Sequence, residues 1–213
     1  VVTEPQSELS PSVIGLIVHS TLEYYSLPHY DEEELQRCFT MALKEHVRGK
    51  TRGTEPAKAM LVQYLQSELL PPLDKAEKEK EIKFFLGSLQ VNGFIDCMYP
   101  NADGTWTIVD YKTGRVPHSA QEKNTGYMYQ LALYRLAVET LFKRKVSKCA
   151  LHYLQELEPV ELADDAEYQK YLAEALAHCK EIGSLPKEET AFPCMVGKQC
   201  EYCEYAYMCT GVK

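Results

Sequence analysis

A mixed β-sheet flanked by helices, of the α/β class, is the fold this sequence predicts. Three observations carry that expectation. Apolar residues recur at helical spacing through the first third of the chain. Strand-like runs separated by turn residues occupy 81–111. A helix, a strand and a helix then follow in turn as far as 182, the mixture that places helices on the faces of a sheet.

Each element has a local reason. Ser10 is a suitable N-cap and Pro11 a suitable first helical residue, so a helix is expected from Pro11 through His19 to Tyr24, ended by Ser26-Leu27-Pro28. A second helix starts near Asp31, with Leu35, Phe39 and Leu43 at helical spacing. A third covers 55–70 and stops at Pro71-Pro72, after which 73–80 is charged and reads as an exposed connection. Strands are expected over 81–86, 89–98 and 106–111. Gly87-Ser88 joins the first two, and the turn Tyr99-Pro100-Asn101-Ala102-Asp103-Gly104 joins the second and third. A helix over 125–142, a strand over 149–154 and a helix over 164–182, ended by Gly183 and Pro186, complete the pattern.

Composition bounds the answer. The chain has 213 residues, enough for one domain with a real core, and 45% hydrophobic residues, an ordinary share. No apolar run is long enough to cross a membrane, and the N-terminus does not read as a signal peptide, so no membrane partner and a cytoplasmic setting are expected. Starting at Val1 without Met, the sequence reads as a piece of a longer protein. A formal net charge of −8 argues against coating nucleic acid through bulk charge but leaves room for a local basic groove.

The chemistry concentrates on the hairpin. Folding it brings Asp96, in Gly93-Phe94-Ile95-Asp96, close to Asp110, in Val109-Asp110-Tyr111-Lys112-Thr113-Gly114. Asp110 and Lys112 lie two apart and share one strand face. Two carboxylates and an ammonium on a common face suit Mg²⁺ and a phosphodiester, because carboxylate-bound Mg²⁺ neutralises phosphate charge and activates water. Each residue also has a plainer role: His19 as a core histidine, Asp110 and Lys112 as an ion pair, Gln130 and Tyr134 as helix packing.

Four segments in order resemble the RecB-family nuclease domain of the PD-(D/E)xK superfamily, over most of the chain. They are Gly15-Leu16-Ile17-Val18-His19, Gly93-Phe94-Ile95-Asp96, Val109-Asp110-Tyr111-Lys112-Thr113-Gly114 and Gln130-Leu131-Ala132-Leu133-Tyr134. The resemblance implies a restriction-endonuclease-like core over 1–190 and a metal-dependent DNA exonuclease of the AddAB/RecB type. It also implies DNA ends, single- or double-stranded, as substrate, and a covalently linked helicase domain or a helicase–nuclease partner subunit. His19, Asp96, Asp110 and the Tyr111 carbonyl would hold Mg²⁺ or Mn²⁺, a histidine ligand suiting Mn²⁺. Lys112 would assist the nucleophilic water, with Gln130 and Tyr134 at the site. Glu23 could orient His19, and Glu81 could reach the site or be solvated. Lys83, Arg115 and Lys123, and more distantly Arg144 and Lys145, are phosphate-contact candidates. A non-catalytic DNA-binding module and a stand-alone CRISPR adaptation nuclease are the alternatives.

Eight cysteines are present, and Cys194, Cys200, Cys203 and Cys209 crowd a tail, 191–213, expected to pack on the same domain. Four thiolates can hold Zn²⁺ or an iron–sulfur cluster. The last three resemble the cysteine triplet of the iron–sulfur branch of this family, in which the fourth ligand precedes the histidine motif. No cysteine precedes His19 here. Cys194 as fourth ligand, a partner upstream of Val1, and reduced thiols packing the tail all remain open.

Overall fold

The computed structural model describes residues 9–47, 53–116, 125–162 and 164–186, with single positions 196, 197, 200, 203, 206, 207 and 209. Three helices come first: α1 (Pro11–Tyr24), α2 (Glu32–His46) and α3 (Glu55–Leu65). Strands β1 (Glu77–Leu86), β2 (Leu89–Pro100) and β3 (Trp106–Lys112) follow. Then come α4 (Thr125–Leu141), β4 (Val146–Tyr153), β5 (Glu158–Glu161) and α5 (Asp165–Ser184). The expected mixed α/β sheet is present, with strands in the order β1-β2-β3-β4-β5. All neighbours are antiparallel except β3 and β4, which run parallel, with α4 lying between them in the chain.

The sheet has a core on each face. Ile17, Val18 and Leu22 of α1 pack with Leu35, Phe39, Leu61 and Tyr64 against Cys97, Val109 and Tyr111. On the other face Met128, Leu131, Ala132 and Val138 of α4, with Tyr168 and Leu172 of α5, cover Ile82, Ile95, Ile108 and Leu151. Strand β3 is covered on both sides, which is why Ile108, Val109 and Tyr111 are consecutively or nearly consecutively apolar rather than alternating with polar residues. Each fully buried aliphatic side chain contributes roughly 1.5–3 kcal/mol.

Helix ends follow their caps. Ser10 Oγ accepts the Val13 N–H at the start of α1, and Asp31 accepts the Glu34 N–H at the start of α2. The carboxyl end of α1 is met by Lys78, whose ammonium donates to the carbonyls of Tyr25 at 2.7 Å and Leu22 at 3.4 Å.

Several boundaries differ from the sequence expectation. Helix α3 ends at Leu65, because Ser67 turns back and donates both its N–H and its hydroxyl to the Tyr64 carbonyl. Strand β1 starts at Glu77, inside the segment expected to be an exposed connection, and Leu73 just before it is buried. The short edge strand β5 was not expected at all. Helix α5 continues through Gly183: a Cβ there would meet Ser88 Oγ at 3.3 Å and Leu89 Cγ at 3.5 Å. That glycine therefore serves close packing of α5 on the β1–β2 turn.

Candidate metal centre

Local geometry brings the site together at a twist in the sheet. Residues 78, 80 and 82 of a regular strand would share one face. Here Lys78 reaches α1, whereas Lys80 lies over the Phe142 ring and Ile82 joins the α4 core. Between them Glu79 takes φ 45°, a left-handed conformation rare for a non-glycine residue. Strand β2 switches faces at the matching position: Ile95 belongs to the α4 core and Cys97 to the α1 core, with Asp96 between. The pairs Lys78↔Cys97 and Lys80↔Ile95 set Glu79 opposite Asp96.

Strands β2 and β3 part at the same level. Their pairing begins at Cys97↔Val109, and the Tyr111 N–H donates instead to Asp96 Oδ2 at 2.7 Å. Helix α1 supplies His19. One turn earlier is Gly15, where a Cβ would stand 3.4 Å from Thr113 Oγ1, so α1 runs close to the end of β3. His19 Nδ1 lies 3.5 Å from Asp96 Oδ2. One donor atom from each of His19, Glu79 and Asp96 falls within 4.8 Å of the others, the one such group of three or more among the described residues.

Asp110 and Lys112 complete the cluster from β3. Asp110 is 2% exposed, and Lys112 Nζ stands 2.5 Å from its Oδ2. That ammonium is the charge beside the buried Oδ2. Lys112 also donates to Gln130 Oε1 at 3.4 Å, Gln130 to the Tyr134 hydroxyl at 2.8 Å, and Tyr134 to the Phe94 carbonyl at 2.6 Å. This chain ties β3 through α4 back to the strand carrying Asp96. Lys112 Nζ lies 4.0 Å from the Tyr127 ring centroid.

Crowding and burial raise the pKa of Glu79 and Asp110. Burial, then the Asp96 charge, pushes Glu79 up to about 7. Burial, then Asp96, raises Asp110 to about 6 against the opposing pull of Lys112. Burial disfavours protonated His19, but the hydrogen bond and charge of Asp96, aided by Asp110 and Glu79, outweigh it and raise its pKa. An imidazole nitrogen and converging carboxylate oxygens form a donor set that fits a divalent cation.

The structure thus brings together His19, Asp96, Asp110, Tyr111, Lys112, Gln130 and Tyr134. Glu79 is the site residue that sequence reasoning missed. Its signal was register: once 77–80 is a strand, Glu79 falls opposite Asp96. Glu81 is exposed, and Glu23 is exposed with its charge close enough to raise Glu79. Lys83 and Arg115 are exposed. Arg144 is committed elsewhere, 2.6 Å from Glu77 and stacked on Trp106, and the Lys145 carbonyl accepts the Trp106 N–H. Both stand beside the start of β3, roughly 13 Å along the strand from Asp110. Lys123 and Cys194 lie outside the described residues. Cys200 Sγ accepts the Gly197 N–H at 3.4 Å, and Cys203 is exposed.

The sheet parts its strands and gathers carboxylates, a histidine and a lysine at one level. The profile of the PD-(D/E)XK nuclease superfamily matches residues 2–210, and the chain belongs to that superfamily. Its relatives include proteins named as one of the subunits of an ATP-dependent helicase/nuclease. That of Lysinibacillus sphaericus (strain C3-41) is 24% identical over 170 residues, 72% of this chain and 14% of the relative. That of Anoxybacillus flavithermus is 26% identical over 154 residues, 66% of this chain and 12% of the relative. That of Moorella thermoacetica is 36% identical over 87 residues, 41% of this chain and 6% of the relative. The chain spans no more than 14% of the length of these three relatives. No described helix is long and apolar enough to cross a membrane.

Proposed function

We propose that this domain hydrolyses DNA phosphodiester bonds at strand ends, as the metal-dependent exonuclease module of a larger helicase–nuclease active in recombinational repair. The observation that carries the reading is the convergence of His19, Glu79 and Asp96 within 4.8 Å, beside the buried Asp110–Lys112 pair. The helicase setting rests on the names of the relatives, whose other domains would deliver DNA to an acidic chain.

His19, Glu79, Asp96, Asp110 and the Tyr111 carbonyl would hold Mg²⁺ or Mn²⁺. Such an ion, held there, would supply charge neutralisation at the phosphate and acidify water. Asp96 fixes the end of β3 by accepting the Tyr111 N–H, so the Tyr111 carbonyl keeps its direction. Lys112, positioned by Asp110 and Gln130, is placed to orient the attacking water and to stabilise charge that grows on the phosphate oxygens. Gln130 and Tyr134 act by positioning Lys112 and the Phe94 carbonyl. Zn²⁺ or an iron–sulfur cluster on Cys194, Cys200, Cys203 and Cys209 is a separate proposal, resting on spacing alone; metal and iron analysis of the purified protein tests it.

The test is digestion of end-labelled linear DNA with Mg²⁺, Mn²⁺ or EDTA, for wild type, Lys112→Ala and Glu79→Gln. Cleavage that needs metal and falls about a hundredfold or more in Lys112→Ala supports the reading. A wild type that binds DNA and metal without cutting, even joined to its helicase, points to a non-catalytic module.

A further inference from the structure

Behind the metal centre, on the sheet face covered by α1 and α3, lies a polar pair that the chemistry above does not use. Tyr64 in the last turn of α3 and His152 on β4 are both buried, and the Tyr64 hydroxyl shares a 2.7 Å hydrogen bond with His152 Nδ1. Their surroundings are otherwise apolar, with Leu61, Val109 and Leu154 in the same core. A polar pair in such a place destabilises unless both partners stay bonded, so an apolar pair would serve packing alone just as well.

Strand register connects the pair to the site. Tyr111 is the neighbour of His152 across the β3–β4 pairing. The Tyr64 ring is T-shaped to both, with its centroid 5.6 Å from that of Tyr111 and 5.9 Å from that of His152. One ring on a helix thus bridges two strands, and the bond to His152 holds it there. The Tyr64 backbone is fixed as well, because its carbonyl accepts both the N–H and the hydroxyl of Ser67 where α3 turns back. Tyr111 passes this restraint on. Its ring is T-shaped to the His19 imidazole at 6.1 Å and 79°, and its N–H donates to Asp96 Oδ2 at 2.7 Å. His19 has little else to hold it: among the described residues Asp96 is its one ion-pair partner, at 3.5 Å. The order of contact is therefore His152 to Tyr64, Tyr64 to Tyr111, and Tyr111 to His19.

We propose that Tyr64 and His152 are positioning residues for the metal centre, locking the Tyr111 ring as the backstop that aims the His19 imidazole at a cation shared with Asp96. This rests on the metal-dependent reading above and adds two residues that touch neither metal nor DNA. Groups one layer behind a metal ligand set its direction, and losing one weakens metal binding by about tenfold or more.

The experiment measures Mn²⁺ affinity by calorimetric titration at pH 8, without DNA, for wild type, His152→Leu and His152→Asn, each also in a His19→Ala background. Asn places an amide where Nδ1 stands and keeps a bond to Tyr64, whereas Leu fills the space without one. His152→Leu should bind Mn²⁺ about tenfold more weakly, and His152→Asn should bind it as wild type does. In the His19→Ala background His152→Leu should lose nothing further, because the lock acts through His19; a role in packing alone would lower affinity by the same factor in both backgrounds. Equal losses in the two backgrounds, or wild-type affinity in His152→Leu, overturn the proposal. Should His152→Leu not fold, Tyr64→Phe, which keeps the ring and removes the hydroxyl, is read by the same criteria. A wild type that binds no Mn²⁺ counts against the metal-dependent reading, and the lock is then read by NMR in the metal-free protein. The His19 ring protons, which feel the Tyr111 ring current, should move towards their unstructured shifts in His152→Leu and stay in place in His152→Asn. Unmoved His19 resonances in His152→Leu overturn the proposal whether or not metal binds.

Discussion

Lys112 is held from three sides. Asp110 Oδ2 stands 2.5 Å away, Gln130 Oε1 3.4 Å away, and the Tyr127 ring beneath it at 4.0 Å. An ammonium so fixed is a point charge aimed at one place, and it needs no reorganisation when charge develops on a phosphate. Lys112→Arg therefore should not rescue activity: a planar guanidinium spreads its charge and its donors over a fork too wide for this seat. Both Lys112→Ala and Lys112→Arg are expected to lose about a hundredfold or more in kcat while Mn²⁺ still binds, read by single-turnover cleavage and by calorimetric titration. Glu79→Gln should show the reverse emphasis, with Mn²⁺ affinity weakened about tenfold or more. Wild-type Mn²⁺ affinity in Glu79→Gln would remove Glu79 from the ligand set.

Strand β1 shows what a pattern in the chain can and cannot reveal. The segments around Asp96, Asp110 and Gln130 carry apolar runs, turn residues and helical spacing, so sheet, helix and most site residues were legible. The stretch Asp74-Lys75-Ala76-Glu77-Lys78-Glu79-Lys80 carries no strand alternation of apolar residues. It becomes a strand only because β2 supplies a pairing partner and because Lys78 and Glu79 find work at the end of α1 and at the metal centre. Edge strand β5, Glu-Pro-Val-Glu, is similarly set by its pairing to β4. The twist at Glu79 gives a direct test. A left-handed φ of 45° costs a side-chain-bearing residue roughly 1–2 kcal/mol, and glycine escapes that cost. Glu79→Gly should therefore be more stable than Glu79→Ala by about 1 kcal/mol in urea unfolding. In an ordinary strand interior the order is the opposite. Ala equal to or above Gly would mean that this backbone is not strained in solution. Both variants should lose cleavage, leaving the strain at a position that function occupies.

At the scale of the molecule, the site sets how stability responds to pH and to metal. Glu79, normally near 4.5, holds its proton to about 7 when folded, and Asp110, normally near 3.8, to about 6, chiefly through burial and secondly through Asp96. Between the unfolded and folded values the native state binds more protons than the unfolded chain, so these carboxyls make stability fall as pH rises from about 4 to 7. His152 acts in the other direction. Burial, then Lys148, depresses it to about 4 from 6.5, so the unfolded chain binds the extra proton and stability falls as pH drops from 6.5 towards 4. The Tyr64 hydroxyl shares a 2.7 Å hydrogen bond with His152 Nδ1 beneath the sheet face carrying Tyr111. A divalent cation belongs to one of these limbs only. In EDTA these carboxyls should lower the melting temperature up to about pH 7, as Glu79 and Asp110 ionise against Asp96. Mg²⁺ or Mn²⁺ at a hundredfold excess over Kd adds about 2.7 kcal/mol, roughly 5–10 °C for a domain of this size, and removes the decline at pH 8. At pH 5 the protonated acids bind the ion poorly, so the same addition should move the melt little, and the acid limb set by His152 should persist in either buffer. Replacing His152 with Phe should flatten the acid limb alone, while Asp110→Asn should reduce the EDTA decline and leave the part that Glu79 sets. A metal-induced shift as large at pH 5 as at pH 8 would show that the ion is bound somewhere other than these carboxylates.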